Sequence, residues 1–68
     1  MIEKVKSRIA PLIGKKIKFR YNGSRNQIEE FEGIIVNCYN YVFVIDLGYI
    51  KKSFSYSDVL IGNLEIYN

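Results

Sequence analysis

The stretch Tyr41–Leu60, YVFVIDLGYIKKSFSYSDVL, decides the fold. Val42 and Val44 face one way, while Tyr41, Phe43, Ile45 and Leu47 face the other, the period of two of a β-strand. Phe54 and Tyr56 then alternate with Ser53, Ser55 and Ser57, predicting a second strand with one face of hydroxyls. In the SDVL that follows, Ser57 or Asp58 is placed to cap a single helical turn carrying Val59 and Leu60.

Outward from this stretch the same alternation recurs. Lys16–Tyr21 sets Ile17, Phe19 and Tyr21 inward against Lys16, Lys18 and Arg20 outward. Asn22–Gln27 is a turn in which Gly23 can take positive φ. Ile28–Cys38 is a long strand in which Ile28, Ile34 and Val36 share a parity that Phe31 does not, so a bulge or sharp bend is expected at Gly33. Asn37–Asn40 and Gly48–Tyr49 are turns, and Asn63–Tyr67 is the last strand, with Leu64 and Ile66 inward. Ahead of these, Ile2, Val5, Ile9 and Leu12 or Ile13 recur at helical spacing, with Pro11 ending the regular part near Ile9.

Helix, four strands, helical turn, strand is the order of a small five-stranded SH3-like or Sm-like barrel, all-β apart from the short N-terminal helix. Residues 1–68 make one domain, 1–13 as the amphipathic helix and 15–67 as the barrel. The expected core is Ile17, Phe19, Ile34, Val36, Phe43, Ile45, Val59, Leu60, Leu64 and Ile66. The helix is expected to cover an open end of the barrel, because an exposed apolar stripe is a liability.

Composition removes whole classes of chemistry. With no histidine and one cysteine, Cys–His pairs, Ser–His triads and His-bearing metal clusters are excluded. Glu29, Glu30 and Glu32 read as a solvated strand face, since acid–base work needs a perturbed pKa and hence burial. No catalytic residue, cofactor site or metal site is expected. The lone Cys38 makes no internal disulfide and reads as a small packing residue. Charges scattered through MIEKVKSRIAPLIGKK fit neither a signal peptide nor a membrane span, so a cytoplasmic protein is expected.

The net charge of +3 conceals an asymmetry. Residues 1–25 hold eight basic side chains against Glu3 alone, whereas residues 26–68 hold Lys51 and Lys52 against six carboxylates. A barrel interleaves its strands, so the two halves are expected to cancel in part. The most site-like element is the turn RYNGSR, where Lys18, Arg20 and Arg25 supply charge and Asn22–Gly23 can aim backbone amides at an anion. Tyr39, Tyr49 and Ser55 form a secondary candidate surface. Basic residues beside tyrosines on a small barrel also suit nucleic acid, by stacking of bases.

These residues resemble a family. LIGKKIKFRYNGSR is similar to the strand and asparagine-glycine loop of the Veg proteins, small cytoplasmic proteins of low-GC Gram-positive bacteria. EGIIVNCYNYVFVIDL is similar to the hairpin of that family, and SFSYSDVL to its serine-tyrosine-serine turn, so the match runs from about Leu12 to Ile66. Asn40 stands where the family usually has proline, and the segment after Leu47 is shorter. The resemblance implies an SH3-like barrel with an N-terminal helix. It also implies a non-enzymatic role, stimulating biofilm formation by raising transcription of matrix genes against a repressor. The partner expected is then a protein such as a transcription regulator, with nucleic acid as the alternative, no membrane, and homo-oligomers compatible with the fold.

Overall fold

In the computed structural model, which describes residues 2–23 and 27–67, five antiparallel strands form one sheet in the order β4-β3-β2-β1-β5. The chain opens with helix α1 (Ile2–Ile9) and a short 3-10 turn (Ala10–Leu12). Strands β1 (Lys16–Asn22), β2 (Ile28–Cys38), β3 (Val42–Asp46) and β4 (Lys51–Ser55) follow as a meander. Helix α2 (Tyr56–Leu60) then carries the chain across to β5 (Leu64–Tyr67), which pairs with β1. This is the connectivity expected of an SH3-like barrel. No helix among the described residues is long and apolar enough to cross a membrane.

The sheet curls on itself. Phe54 on β4 and Tyr21 on β1 are three strand steps apart in the sheet order, yet their rings are 5.5 Å apart. Phe31 on β2 lies between, 5.8 Å from Phe54 and 5.4 Å from Phe19. A flat sheet would hold such strands roughly 14 Å apart, at about 4.8 Å per strand step. Burying these aromatic faces against one another supplies the driving force for the curl.

Burial follows the alternation for Ile17, Phe19, Phe43, Ile45 and Leu64, all in the core. Ile66 and Val59 pack against it while half-buried, and Val36 is half-buried. Ile34 and Leu60 are exposed, at 37% and 48%, which corrects both expectations. For Ile34 the reason is where β2 changes phase. The register runs Ile34↔Asp46 and Ile35↔Ile45, then skips Val36 to resume at Asn37↔Val44. The bulge therefore falls at Val36 rather than Gly33. Phe31, Gly33 and Ile35 share the inner face before it, and Cys38 returns to that face after it. Gly33 has a different task. A Cβ there would lie 2.5 Å from Cγ2 of Ile45, so glycine lets β3 side chains cross the strand.

Two further core members come from α1. Val5 and Ile9 are buried, with Ile2 and Leu12 packed beside them, as a helix covering one end of the barrel requires. Tyr56 is the remaining surprise. Its ring is fully buried, 5.5 Å from Phe43, but it begins α2 instead of ending β4. The cap is accordingly Ser55, whose Oγ accepts from the Asp58 amide at 3.2 Å, and neither Ser57 nor Asp58. Gly62, at φ +88°, ends the helix in the left-handed conformation that glycine adopts at no steric cost.

Candidate functional site

The basic residues of β1 stand on the outer face of the sheet, directly opposite acidic partners. Register sets Lys18 against Glu32 on β2 and Tyr67 on β5, and Arg20 against Glu30 on β2 and Glu65 on β5. Residues directly opposite on antiparallel strands share a face, and opposite charges there contribute about 0.2–1 kcal/mol. The Arg20 guanidinium is held protonated more firmly than usual, chiefly by its hydrogen bond to the Tyr67 side chain, with Glu65 and Glu30 adding attraction. The Tyr67 hydroxyl in turn donates to Oε2 of Glu65 at 2.6 Å. Arg20, Tyr67, Glu65 and Glu30 thus stand together across three strands, one positive charge against two carboxylates.

The facing carboxylates offset Arg20 and Lys18, two of the eight basic side chains that residues 1–25 concentrate. Interleaving strands are the cause: β2 and β5, which flank β1, carry Glu29, Glu30, Glu32 and Glu65. Tyr67, which sequence reasoning gave no site role, is the residue that links Arg20 to Glu65. Its role depends on the β1–β5 register, which no local pattern contains.

At the tip of the hairpin the amides are already used. The Asn22 amide donates to the Asn63 carbonyl at 2.7 Å, and the Gly23 amide donates to the Gln27 carbonyl at 2.7 Å. Positive φ occurs at Gly14, Gly48 and Gly62 and not at Gly23. Neither of these two amides is therefore aimed outward at an anion. A hollow of about 210 Å³ beside them is lined by Tyr21, Gly23, Gln27 and Glu29, whose carboxylate opposes a negative ligand. Arg25, the remaining member of the candidate loop, lies outside the described residues.

The secondary candidates do not form one surface. Tyr39 is half-exposed in the β2–β3 turn and Tyr49 is 86% exposed in the β3–β4 turn. The five residues of β3 separate them, roughly 15 Å of extended chain. Ser55 belongs with Tyr39 but is engaged as the α2 cap. Tyr41, placed by alternation on the face of Phe43 and Ile45, is 72% exposed and stands with Asn40 beside Ile2, Glu3 and Lys6 of α1. Among the described residues no group of three or more His, Cys, Asp or Glu side chains is arranged to hold a metal ion.

A longer groove of about 480 Å³ runs between α1 and β5, with Val5, Ile9, Leu12 and Val59 on its apolar floor and Arg8 on its helical wall. Sequence reasoning missed it, since its walls are more than fifty residues apart in the chain.

The family model of the biofilm formation stimulator Veg matches residues 1–67, and the chain belongs to that family. The match takes in α1, which the resemblance from Leu12 onward left out. Comparison with curated proteins finds no matching sequence.

Proposed function

We propose that this Veg-family chain is a non-enzymatic regulator that acts by binding a protein, raising transcription of biofilm matrix genes by antagonising a repressor. Family membership supports the regulatory role. The observation that favours protein over nucleic acid is the cross-strand network: Lys18 and Arg20 are matched by Glu32, Glu30 and Glu65 on the same face. A nucleic-acid barrel needs a run of unmatched positive charge along the phosphate track. Here that run is broken on the strand where the sequence places it.

Capture on the immobilised full chain from native cytoplasm, with and without nuclease, tests this reading. A bound transcription regulator that survives nuclease, with affinity changing little between 50 and 200 mM salt, is the expected result. Nucleic-acid binding through about six phosphates would instead lose roughly a thousandfold over that range. Loss of the captured material on nuclease treatment would favour the Sm-like, nucleic-acid reading. Sedimentation of the free chain separates both from a subunit that functions only as an oligomer.

A further inference from the structure

We propose that the groove between α1 and β5 is a docking site for an extended, acidic segment of another protein, which adds to β5 as a sixth strand. This rests on the reading that the chain acts through protein binding and assigns the place and chemistry of the contact.

The lining comes first. Leu64, Glu65, Ile66 and Tyr67 all border the groove. Because side chains alternate across a strand, a hollow over one face would touch every second residue. Four consecutive residues mean that it runs along the strand's edge. Among the described residues β5 pairs only with β1, so this edge is the unpaired one.

The hydrogen-bonding phase follows from one bond. The Asn22 amide donates to the Asn63 carbonyl, in register with Arg20↔Glu65 and Lys18↔Tyr67. Antiparallel pairs alternate between those that exchange bonds and those that do not. Asn63, Glu65 and Tyr67 therefore point their main-chain groups at β1, and Leu64 and Ile66 point theirs into the groove. Two donors and two acceptors at strand spacing are what an added strand uses. The edge is also unguarded. β4, at the opposite edge, carries Lys51 and Lys52, the usual protection against pairing, whereas β5 has no lysine, proline or bulge.

Charge chooses the occupant. Glu65 is engaged by Tyr67 and stands opposite Arg20, which leaves Arg8 on the helical wall as the charge that the groove offers. A segment with alternate apolar side chains on the floor and a carboxylate toward Arg8 complements it. A second copy of β5 does not. Antiparallel pairing through Leu64 and Ile66 would set Glu65 directly against Glu65 of the other copy, and like charges there are destabilising.

The test pans a random decapeptide display library against the full chain and studies the best synthetic peptide by titration and amide exchange. Winners should alternate apolar residues, carry Asp or Glu, and slow exchange at the Leu64 and Ile66 amides. Ile66→Pro removes an outward donor without touching the β1 ladder and should weaken binding at least tenfold, as should Arg8→Glu. N-methylation of alternate peptide amides should do the same with the protein untouched, which covers a proline variant that fails to fold. Recovery of no peptide, protection at other amides, or indifference to N-methylation would overturn the proposal. So would sedimentation showing that the chain occupies this edge with its own copy. A regulator captured from cytoplasm equally well by wild type and Arg8→Glu would sink the groove while the binding role stands. Capture of no protein at all would sink that role instead.

Discussion

The hydroxyl of Tyr56 donates to the main-chain carbonyl of Tyr39 over 2.7 Å, seventeen residues away. The Tyr56 amide donates to the Tyr41 carbonyl at 3.1 Å, so one residue fastens the β2–β3 turn from both ends. Its ring meanwhile fills the core against Phe43. The first residue of α2 thereby fixes where β4 ends and how the β2–β3 turn closes.

Tyr56→Phe keeps the ring and removes only the hydroxyl. Leaving a part-buried carbonyl without its donor should cost about 1–2 kcal/mol, read as a lower midpoint in urea with an unchanged slope. A midpoint equal to wild type would show that water replaces the bond freely.

The same hydroxyl gives the fold a sensitivity to alkali. Burial, aided by the neighbouring Cys38 thiol, pushes the Tyr56 phenol from 10.0 up to about 12. A raised pKa means that the folded state holds the proton more tightly. The associated stability, about 2–3 kcal/mol, is therefore fully present below pH 10 and lost as pH rises from 10 toward 12. Denaturation midpoints measured from pH 8 to 12 should fall over that window in wild type and much less in Tyr56→Phe.

Gly33→Ala should cost about 1–3 kcal/mol. The added methyl meets Cγ2 of Ile45 at 2.5 Å and the Asp46 carbonyl at 3.0 Å, and Ile45 is fully buried with no room to turn. Gly23→Ala is the control: its nearest neighbour is a Tyr21 ring carbon at 3.4 Å, and its melt should stay within roughly 0.5 kcal/mol of wild type. Equal effects at the two sites would refute the crossing of β3 side chains over Gly33.

Ile9→Ala should cost about 2–5 kcal/mol, the range for emptying a fully buried aliphatic site. That is a large part of the stability of a 68-residue domain. A near-native thermal melt would mean that α1 is an appendage and not a lid on the core.

Arg20→Glu sets three carboxylates side by side across β2, β1 and β5. It should lower the urea midpoint, and Glu30→Lys in the same chain should restore part of that loss. Additive effects in this double-mutant cycle would show that the pair does not interact.

Much of the fold is legible in the sequence, because alternation is local. KIKFRY and VFVID carry their inward residues at every second position, and the order of elements follows from where that alternation stops. Pro11 and Gly14 likewise bound α1 by backbone sterics alone. The phase of β2 is not local. Ile34 and Ile35 are chemically identical neighbours, and only the pairing with β3, with Val36 left over, decides which of them is buried. The candidate site depended on tertiary structure still more. The sequence determines that β1 is basic and that Glu30 and Glu65 are acidic. Only the register, which sets those carboxylates on either side of Arg20, offsets the charge of a positive strand, since charge in space depends on which strands lie side by side. The groove between Arg8 and Leu64 exists for the same reason: a hollow is a property of surfaces brought together from distant parts of the chain.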